Sequence, residues 1–415
     1  MMARVNTSGS FMRTVSSVFA ALLLLSAVPC CAAIQTDGNA LVPGCNQFGV
    51  KLLQLIDKSS AGKNILISSY SISEAMNMTA SGASGASTRE IYDVIDGSKL
   101  SAEAISSAAK QLRDSLREST DADPKVKITI ANSLWVSQQV VLKKSFIDEC
   151  KSMYDAMVRN VDFGTAAAVD AINNWVKQAT IGKISKLVSR SNVDSSTVAV
   201  LVNAIYFKGL WSKPFKSQLT TDQEFHRTNN DTKMVKMMND TRKFLYASSG
   251  DAEMIALPYG QGRMRMLVVL PAKNLTASAF LSSLNTDKLM NMRRSLNSRQ
   301  VNLLLPKFKL EFGVYSLPPA LKMMGIKGIF RGGEFQKMSS AGATFQVTDV
   351  LHKAIMEVDE EGTVAAAATA VLISRHAVQF EQPLEMRVDH PFLVFIEDTK
   401  SGMLLFSGLV RDPQF

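Results

Sequence analysis

Arg375-His376 follows twelve residues, Thr363 to Ser374, that carry neither charge nor proline. Those twelve follow the triplet Glu360-Glu361-Gly362. A basic residue at the end of such a stretch is a protease target, because trypsin-like pockets hold an aspartate that pairs with a guanidinium. The stretch itself allows two readings. Ala365-Ala366-Ala367-Ala368 suits a helix, since alanine is the best helix former. Yet Thr363, Val364, Thr369, Val371 and Ile373 are β-branched, and the pattern has no period of 3.6. As a strand, Thr363, Ala365, Ala367, Thr369, Val371 and Ile373 share one face, and the other face is equally light. Such a segment can enter the middle of a sheet, where a proline or a charge would be rejected.

Other chemistry is poorly supplied. The chain has no GxSxG elbow, HExxH pair, Walker loop or GxGxxG turn. Its four histidines are His226, His352, His376 and His390, and a zinc site or other cofactor is not expected from them. A hydrolase is therefore disfavoured, and the chain reads as no enzyme.

The elements that must hold this segment come from the rest of the 415 residues. Apolar residues make up 46% and charged residues 20%, a globular mix that excludes disorder and collagen. Residues 1–33 read as a secretory signal peptide. Arg4 and Arg13 start it, Val15 to Val28 is uncharged, and Cys31 and Ala33 are small enough for cleavage after Ala33. The apolar run is shorter than the roughly 20 residues that span a bilayer. Removal of Arg4 and Arg13 lowers the formal charge from +9 to +7. Cys45 and Cys150 remain and could pair in an oxidising compartment, although their spacing fixes no geometry.

From Val42 onward no low-complexity break appears, so residues 34–415 read as one domain. Helical spacing marks Phe48 to Ile56, Ser71 to Ala80, Ser101 to Leu116 and Ala167 to Thr180. Strand-like runs are Val126–Val136, Val198–Phe207, Phe244–Ala247, Met264–Leu270, Val301–Leu310, Phe345–Val358, Phe392–Glu397 and Met403–Val410. Helices come early and strands late without βαβ alternation, which gives an α+β class with mixed or antiparallel sheets.

Several motifs now resemble one family, the serpins. Ile65-Leu66-Ile67-Ser68-Ser69-Tyr70-Ser71 is similar to the family's motif before its second helix, with Ser69 where proline is usual. Asn173-Asn174-Trp175-Val176 with Thr180-Ile181-Gly182-Lys183-Ile184 resembles another. So does Leu201-Val202-Asn203-Ala204-Ile205-Tyr206-Phe207-Lys208-Gly209-Leu210-Trp211 with Pro214-Phe215. Val235-Lys236-Met237-Met238, Pro306 to Glu311, His352-Lys353-Ala354, Val388 to Leu393, Phe406-Ser407-Gly408 and Asp412-Pro413 complete the set. The resemblance covers Val42 to Pro413.

The resemblance implies three β-sheets with eight or nine helices and an exposed reactive-centre loop, about 359–385. It implies a secreted, monomeric suicide inhibitor: the loop is cut, an acyl-enzyme forms, and the loop inserts into the central sheet before hydrolysis. The partner would be an extracellular serine protease in a covalent 1:1 complex, with no nucleic-acid or membrane partner. Glu360, Glu361, Gly362, Thr363, Val364, Ala365, Ala366, Ala367 and Ala368 would form the loop hinge. Small hinge residues favour inhibition over the alternative, a non-inhibitory binding or storage protein. Ser68, Ser71, Asn203 and His352 resemble the cluster where the sheet parts, and Trp211 the point where insertion begins. Each has a plainer reading as a buried polar or core residue. The family count places the cut at His376–Ala377, a shorter count at Arg375–His376, and the chemistry of trypsin-like pockets favours Arg375. The hinge and signal also resemble those of arthropod and tick serpins.

Sequons at Asn230, Asn239 and Asn274 are glycosylation candidates, whereas Asn77 falls on a helix that reads as buried. Glycosaminoglycan could bind a chain of pI 9.3. The helix with Lys110, Arg113 and Arg117 also carries Glu103, Asp114 and Glu118, and Arg293, Arg294 and Arg299 form a second modest cluster. A solvated face is the simpler reading of both.

Overall fold

The computed structural model describes residues 37–60, 62–95, 100–228, 230–332, 334–340, 345–363 and 382–415. The signal-like segment 1–33, the hinge positions Val364–Ala368 and the reactive-bond candidates Arg375, His376 and Ala377 lie outside the described residues. Every described element belongs to one compact unit, Gln35–Phe415.

Nine α-helices occur among the described residues: α1 (Val42–Ser59), α2 (Ser69–Gly82), α3 (Gly85–Ile95), α4 (Ala102–Asp121), α5 (Lys144–Tyr154), α6 (Ala166–Ala179), α7 (Ala277–Ser283), α8 (Thr286–Arg294) and α9 (Pro318–Met324). Their starts follow capping chemistry. Ser68, Ser101, Thr276 and Asn285 each accept a first-turn N–H through a side-chain oxygen. Helix α2 is buried on every side along its whole length, so its polar side chains need partners inside the protein; Ser71, Ser73, Glu74 and Thr79 have them, while Asn77 Oδ1 has none among the described residues.

The strands are β1 (Ile65–Ile67), β2 (Val126–Ser137), β3 (Met157–Val161), β4 (Ala199–Leu210), β5 (Thr221–Thr228), β6 (Asp231–Ser248), β7 (Ala252–Pro258) and β8 (Met264–Pro271). Then come β9 (Asn297–Pro306), β10 (Phe308–Glu311), β11 (Tyr315–Ser316), β12 (Asp349–Val358), β13 (Gly362–Thr363), β14 (Leu384–Arg387), β15 (Phe392–Asp398) and β16 (Leu404–Val410). A seven-stranded sheet has the order β10-β12-β4-β2-β3, with β11 on β12 and β13 on β4. A nine-stranded network has the order β1-β16-β15-β8-β7-β6-β9-β14, with β5 on β6. The long β6 belongs to two parts of it. Its first half pairs with β5, and its last residues, Leu245 to Ser248, pair with β7. Two of the three expected sheets are thus joined along one strand.

Strand β4 is buried on both faces, as its near-continuous apolar run requires. Val200, Val202 and Ala204 pack with Trp135 of β2 and with Ile172 and Val176 of α6. Leu201, Ile205 and Phe207 point the other way, into the main core between the sheets.

Some strand boundaries differ from the sequence reading. The Val301–Leu310 run breaks at Lys307, because Pro306 ends β9 and Phe308 begins β10 in the other sheet. The Phe345–Val358 run is a strand only from Asp349. Phe345 instead packs on Phe335, ring centroids 4.8 Å apart. Strands β5 and β7 and the first half of β6 carry weaker patterns and are absent from the sequence reading. The thiols of Cys45 and Cys150 are buried and are not joined in a disulfide; Cys45 Sγ lies 3.6 Å from Ser73 Oγ.

Since α6 covers β4 through Ile172, which is fully buried, Ile172→Ala should cost about 2–4 kcal/mol. The midpoint of guanidinium unfolding measures it, and an unchanged midpoint would mean that α6 is not part of the cooperative core.

Candidate functional site

Strands β4 and β12 run parallel from the Val200–Asp349 pair to the Tyr206–Ile355 pair. Beyond Tyr206 they separate. Strand β12 continues to Val358 against Phe308 of β10. The last residues of β4 are taken by the chain that has just left β12: Gly362 lies opposite Leu210 and Thr363 opposite Gly209, antiparallel. The first two hinge positions read from the sequence after Glu361 are therefore already ladder residues beside β4.

The turn that brings them there is tightly bonded. Asp359 Oδ1 accepts from Glu361 N at 3.0 Å and Gly362 N at 3.1 Å, and Asp359 N donates to Gly362 O at 2.8 Å. Trp211 Nε1 donates to Asp359 O at 2.9 Å. Trp211 N and Phe215 N donate to the carbonyls of Glu361 and Glu360, each at 2.8 Å. Glu360 accepts from Thr220 Oγ1 at 2.7 Å and pairs with Lys307 Nζ at 2.9 Å. Gly362 has φ +147°, and a Cβ there would lie 2.1 Å from Gly209 O. No other residue fits without displacing the backbone.

Thr363 is fully buried, and its hydroxyl lies 2.8 Å from Tyr259 OH. Tyr259 stacks on Trp211 with ring centroids 4.4 Å apart and planes 11° from parallel. Burial pushes the Tyr259 phenol well above its ordinary pKa, so it stays protonated and can donate. Trp211 is buried in the core and also bonds the turn before Gly362 through Nε1. Tyr259, Asp359, Thr220 and Lys307 were missed. The signal for Tyr259 was an aromatic residue directly before the Gly260 turn.

Four further candidates meet midway down the same seam. Asn203 and His352 are register partners on β4 and β12. His352 Nδ1 lies 2.5 Å from Asn203 Oδ1. Ser68 N donates to His352 Nε2 at 3.2 Å, which leaves Nδ1 as the protonated nitrogen and the donor across the seam. Asn203 Nδ2 reaches Ser71 O at 2.9 Å, Ser71 Oγ at 2.6 Å and Asn132 Oδ1 at 2.5 Å. Ser68 Oγ donates to Leu405 O at 2.6 Å and caps α2 through Ser71 N. Asn132 was not read from the sequence. Ser69, at the usual proline position, donates to Leu404 O at 3.2 Å.

Complete burial lowers the His352 pKa from 6.5 to about 3. Opening the seam to water would return it toward 6.5. The neutral ring's contribution to the closed seam is then fully present above pH 6.5 and is lost as pH falls toward 3. Between pH 7.5 and pH 5.0, hydrogen-exchange protection of β4 and β12 amides, corrected for intrinsic rates, should fall by up to about thirtyfold. His352→Gln should remove that dependence; an identical acid response in the variant would assign it elsewhere.

The remaining candidates are dispersed. Asn230 and Asn274 are exposed, Asn239 is half-buried in the β6 ladder, and Asn77 is buried. On α4, Lys110 pairs with Asp114, Arg113 with Glu74 at 3.0 Å, and Arg117 lies 4.0 Å from Asp121. Arg293 pairs with Glu397 at 2.7 Å. Both basic clusters read from the sequence are thus partly engaged by carboxylates. Among the described residues no cluster of His, Cys, Asp and Glu could hold a metal ion, and no helix is long and apolar enough to cross a membrane.

The family model for serpins, serine protease inhibitors, matches residues 43–413. Iripin-2 of Ixodes ricinus is 35% identical over 378 residues, spanning 88% of this chain and 92% of that one. Iripin-3 of the same tick is 34% identical, spanning 93% and 98%. Among solved structures, native protease nexin-1 with heparin superposes with a TM-score of 0.81 at 28% identity, covering 91% of this chain and all of that one. Human thyroxine-binding globulin gives 0.83 at 25% identity over 91% and 100%. With Gly362 and Thr363 paired to β4 and a serpin model matching nearly the whole described unit, the chain belongs to the serpins, a family that generally inhibits serine proteases and does not catalyse.

Proposed function

We propose that this chain is a secreted suicide inhibitor of a trypsin-like serine protease. Residues 1–33 would be the cleaved signal, residues 34–415 a single domain, and about 359–385 the reactive-centre loop. The observation that carries this reading is the seating of Gly362 and Thr363 at the head of the β4–β12 seam, directly ahead of the Val364–Ala368 run.

Continuing the same register would bring Ala365, Ala367 and Thr369 opposite Phe207, Ile205 and Asn203. Phe207 and Ile205 face the main core, so only small or apolar partners fit beside them. The Thr369 hydroxyl would arrive where His352 parts from Asn203, and a buried amide that loses one partner needs another. An inserted strand would lie antiparallel to both neighbours.

The protease's nucleophile would attack the carbonyl of Arg375 or of His376. The amine of the next residue departs, and the acyl-enzyme travels with the inserting strand. The result is a covalent 1:1 complex of one monomer with one protease. Asn230 and Asn274, both exposed, are the best-placed glycan acceptors, with Asn239 less open. Glycosaminoglycan binding through α4 is disfavoured by the carboxylates beside its cations.

The test mixes the mature protein with trypsin, thrombin, chymotrypsin and elastase. A complex that survives denaturing gels is expected with a trypsin-like member. The released C-terminal peptide should begin at His376 for a cut after Arg375, or at Ala377 for the alternative count. Thr363→Arg places a charge where a buried hydroxyl meets Tyr259. This variant should be cleaved as a substrate, with complex yield down at least about tenfold. If it traps protease as well as the parent does, loop insertion is not the mechanism; if the parent is cleaved without trapping, the binding or storage role takes its place.

A further inference from the structure

A cavity of about 300 Å³ lies between α2, α4 and β2. Ile128 and Ile130 give it apolar wall. Tyr70 and Glu74, one helical turn apart on α2, and Arg113 from α4 give it buried polar lining; the exposed Arg117, Asp121 and Asp155 also line it, and there Arg117 lies 4.0 Å from Asp121 and 3.9 Å from Asp155, so those two carboxylates face a cation of their own. One polar atom of that lining is buried and unsatisfied, and a neighbouring group has donors to spare. The Tyr70 hydroxyl is buried, with the residue 1% exposed, and makes no hydrogen bond among the described residues. Among the same residues, Glu74 is the one hydrogen-bond partner of Arg113. Burial raises the Glu74 pKa to about 7, so near neutral pH its carboxylate only partly compensates the guanidinium. Buried hydroxyls are as a rule bonded, and an idle O–H beside an under-used guanidinium is a pair of donors waiting for an anionic acceptor.

We propose that this cavity binds a small amphiphile with a carboxylate head, of the medium-chain carboxylic acid class. The carboxylate accepts from the Tyr70 hydroxyl and from Arg113, and the alkyl body packs on Ile128 and Ile130. The volume is at the lower end of small-molecule sites, which suits a short chain and excludes a long one.

The site is coupled to the seam. Asn132 lines the same cavity, and its Oδ1 accepts from Asn203, the residue bonded across the seam to His352. Strand β2 is laddered to β4 along its length, so any shift of β4 that opens the seam shifts the cavity's β2 wall against α2 and α4. A ligand held between them favours the closed seam, and loop insertion must then lower the ligand's affinity by the same factor. This coupling rests on the loop-insertion reading above; the binding does not.

Calorimetric titration with sodium octanoate, with 1-octanol as the uncharged control of equal length, tests both. Octanoate should bind one per chain and at least about tenfold more tightly than octanol. Tyr70→Phe keeps the ring and removes only the idle hydroxyl, so it should fold normally and bind octanoate about tenfold more weakly. Equal binding of the two probes, or full affinity in Tyr70→Phe, overturns the site. Protein nicked in the loop should bind octanoate more weakly than native protein; equal affinity overturns the coupling. A nicked protein whose melting temperature does not rise has not inserted its loop, and that outcome counts against the insertion reading and leaves the binding result standing.

Discussion

The parallel pairing of β4 with β12 is the constraint on which the rest of this structure depends. Parallel ladders are slightly weaker per residue than antiparallel ones. Two parallel neighbours also share one direction, so a third strand can lie antiparallel to both. Inserting it replaces one parallel ladder with two antiparallel ladders. The seam is thus a stable interface in the closed protein and a vacancy for one more strand. What holds it shut midway is a buried polar set, with His352 neutral and donating across to Asn203. Such a set costs little while every member is bonded and a great deal when one partner leaves, so the seam resists partial opening.

The surroundings of β4 decide what could join it. On one face Phe207 packs against Tyr259 and Phe406, ring centroids 5.0 and 5.9 Å apart. On the other face α6 covers Val200, Val202 and Ala204. Helix α6 is itself tied to the segment that follows it. Asn173 Oδ1 accepts from Leu187 N at 2.8 Å and Val188 N at 2.9 Å, and Asn173 Nδ2 donates to Val188 O at 2.8 Å. Helix and return segment therefore behave as one cover over the lower seam. A strand entering beneath it must be narrow and uncharged, which is what the Thr363–Ser374 composition provides.

Much of this frame was legible because apolar runs report burial. The twelve residues of β4 could scarcely be anything but a doubly covered strand. The breaks were not legible in the same way. Pro306-Lys307-Phe308 reads as one continuous run, and only the tertiary structure shows that the chain changes sheets there. The site divides similarly. Ser68, Ser71, Asn203 and His352 stand far apart in sequence, and only family motifs could group them. Asn132 escaped because a polar residue in an alternating strand is ordinarily solvent-facing, and here α2 covers that face. Asp359 draws no notice in the sequence, and Glu360 reads only as a hinge residue. They are ligands for backbone and side chains around the turn, a role set by where Trp211 and Thr220 arrive.

Gly362 and Thr363 are seated beside β4, and the ladder sets what the proposed insertion would meet next. The expensive step in strand addition is the first contact, which must close a loop before any pairing repays it. Here the Asp359 turn and the Trp211 bonds have already closed that loop, so Gly362 and Thr363 hold a nucleus in place. Advance beyond it is cheap only as far as the strands are already parted. At Tyr206 and Ile355 the first closed rung of the β4–β12 ladder stands in the way, and from there each new pair must break a rung before it forms two. Under the loop-insertion proposal the barrier would lie at that rung, below the nucleus and above His352. On that proposal, a loop tethered at both ends would lack the length to cross it, and a loop severed on its C-terminal side would have it.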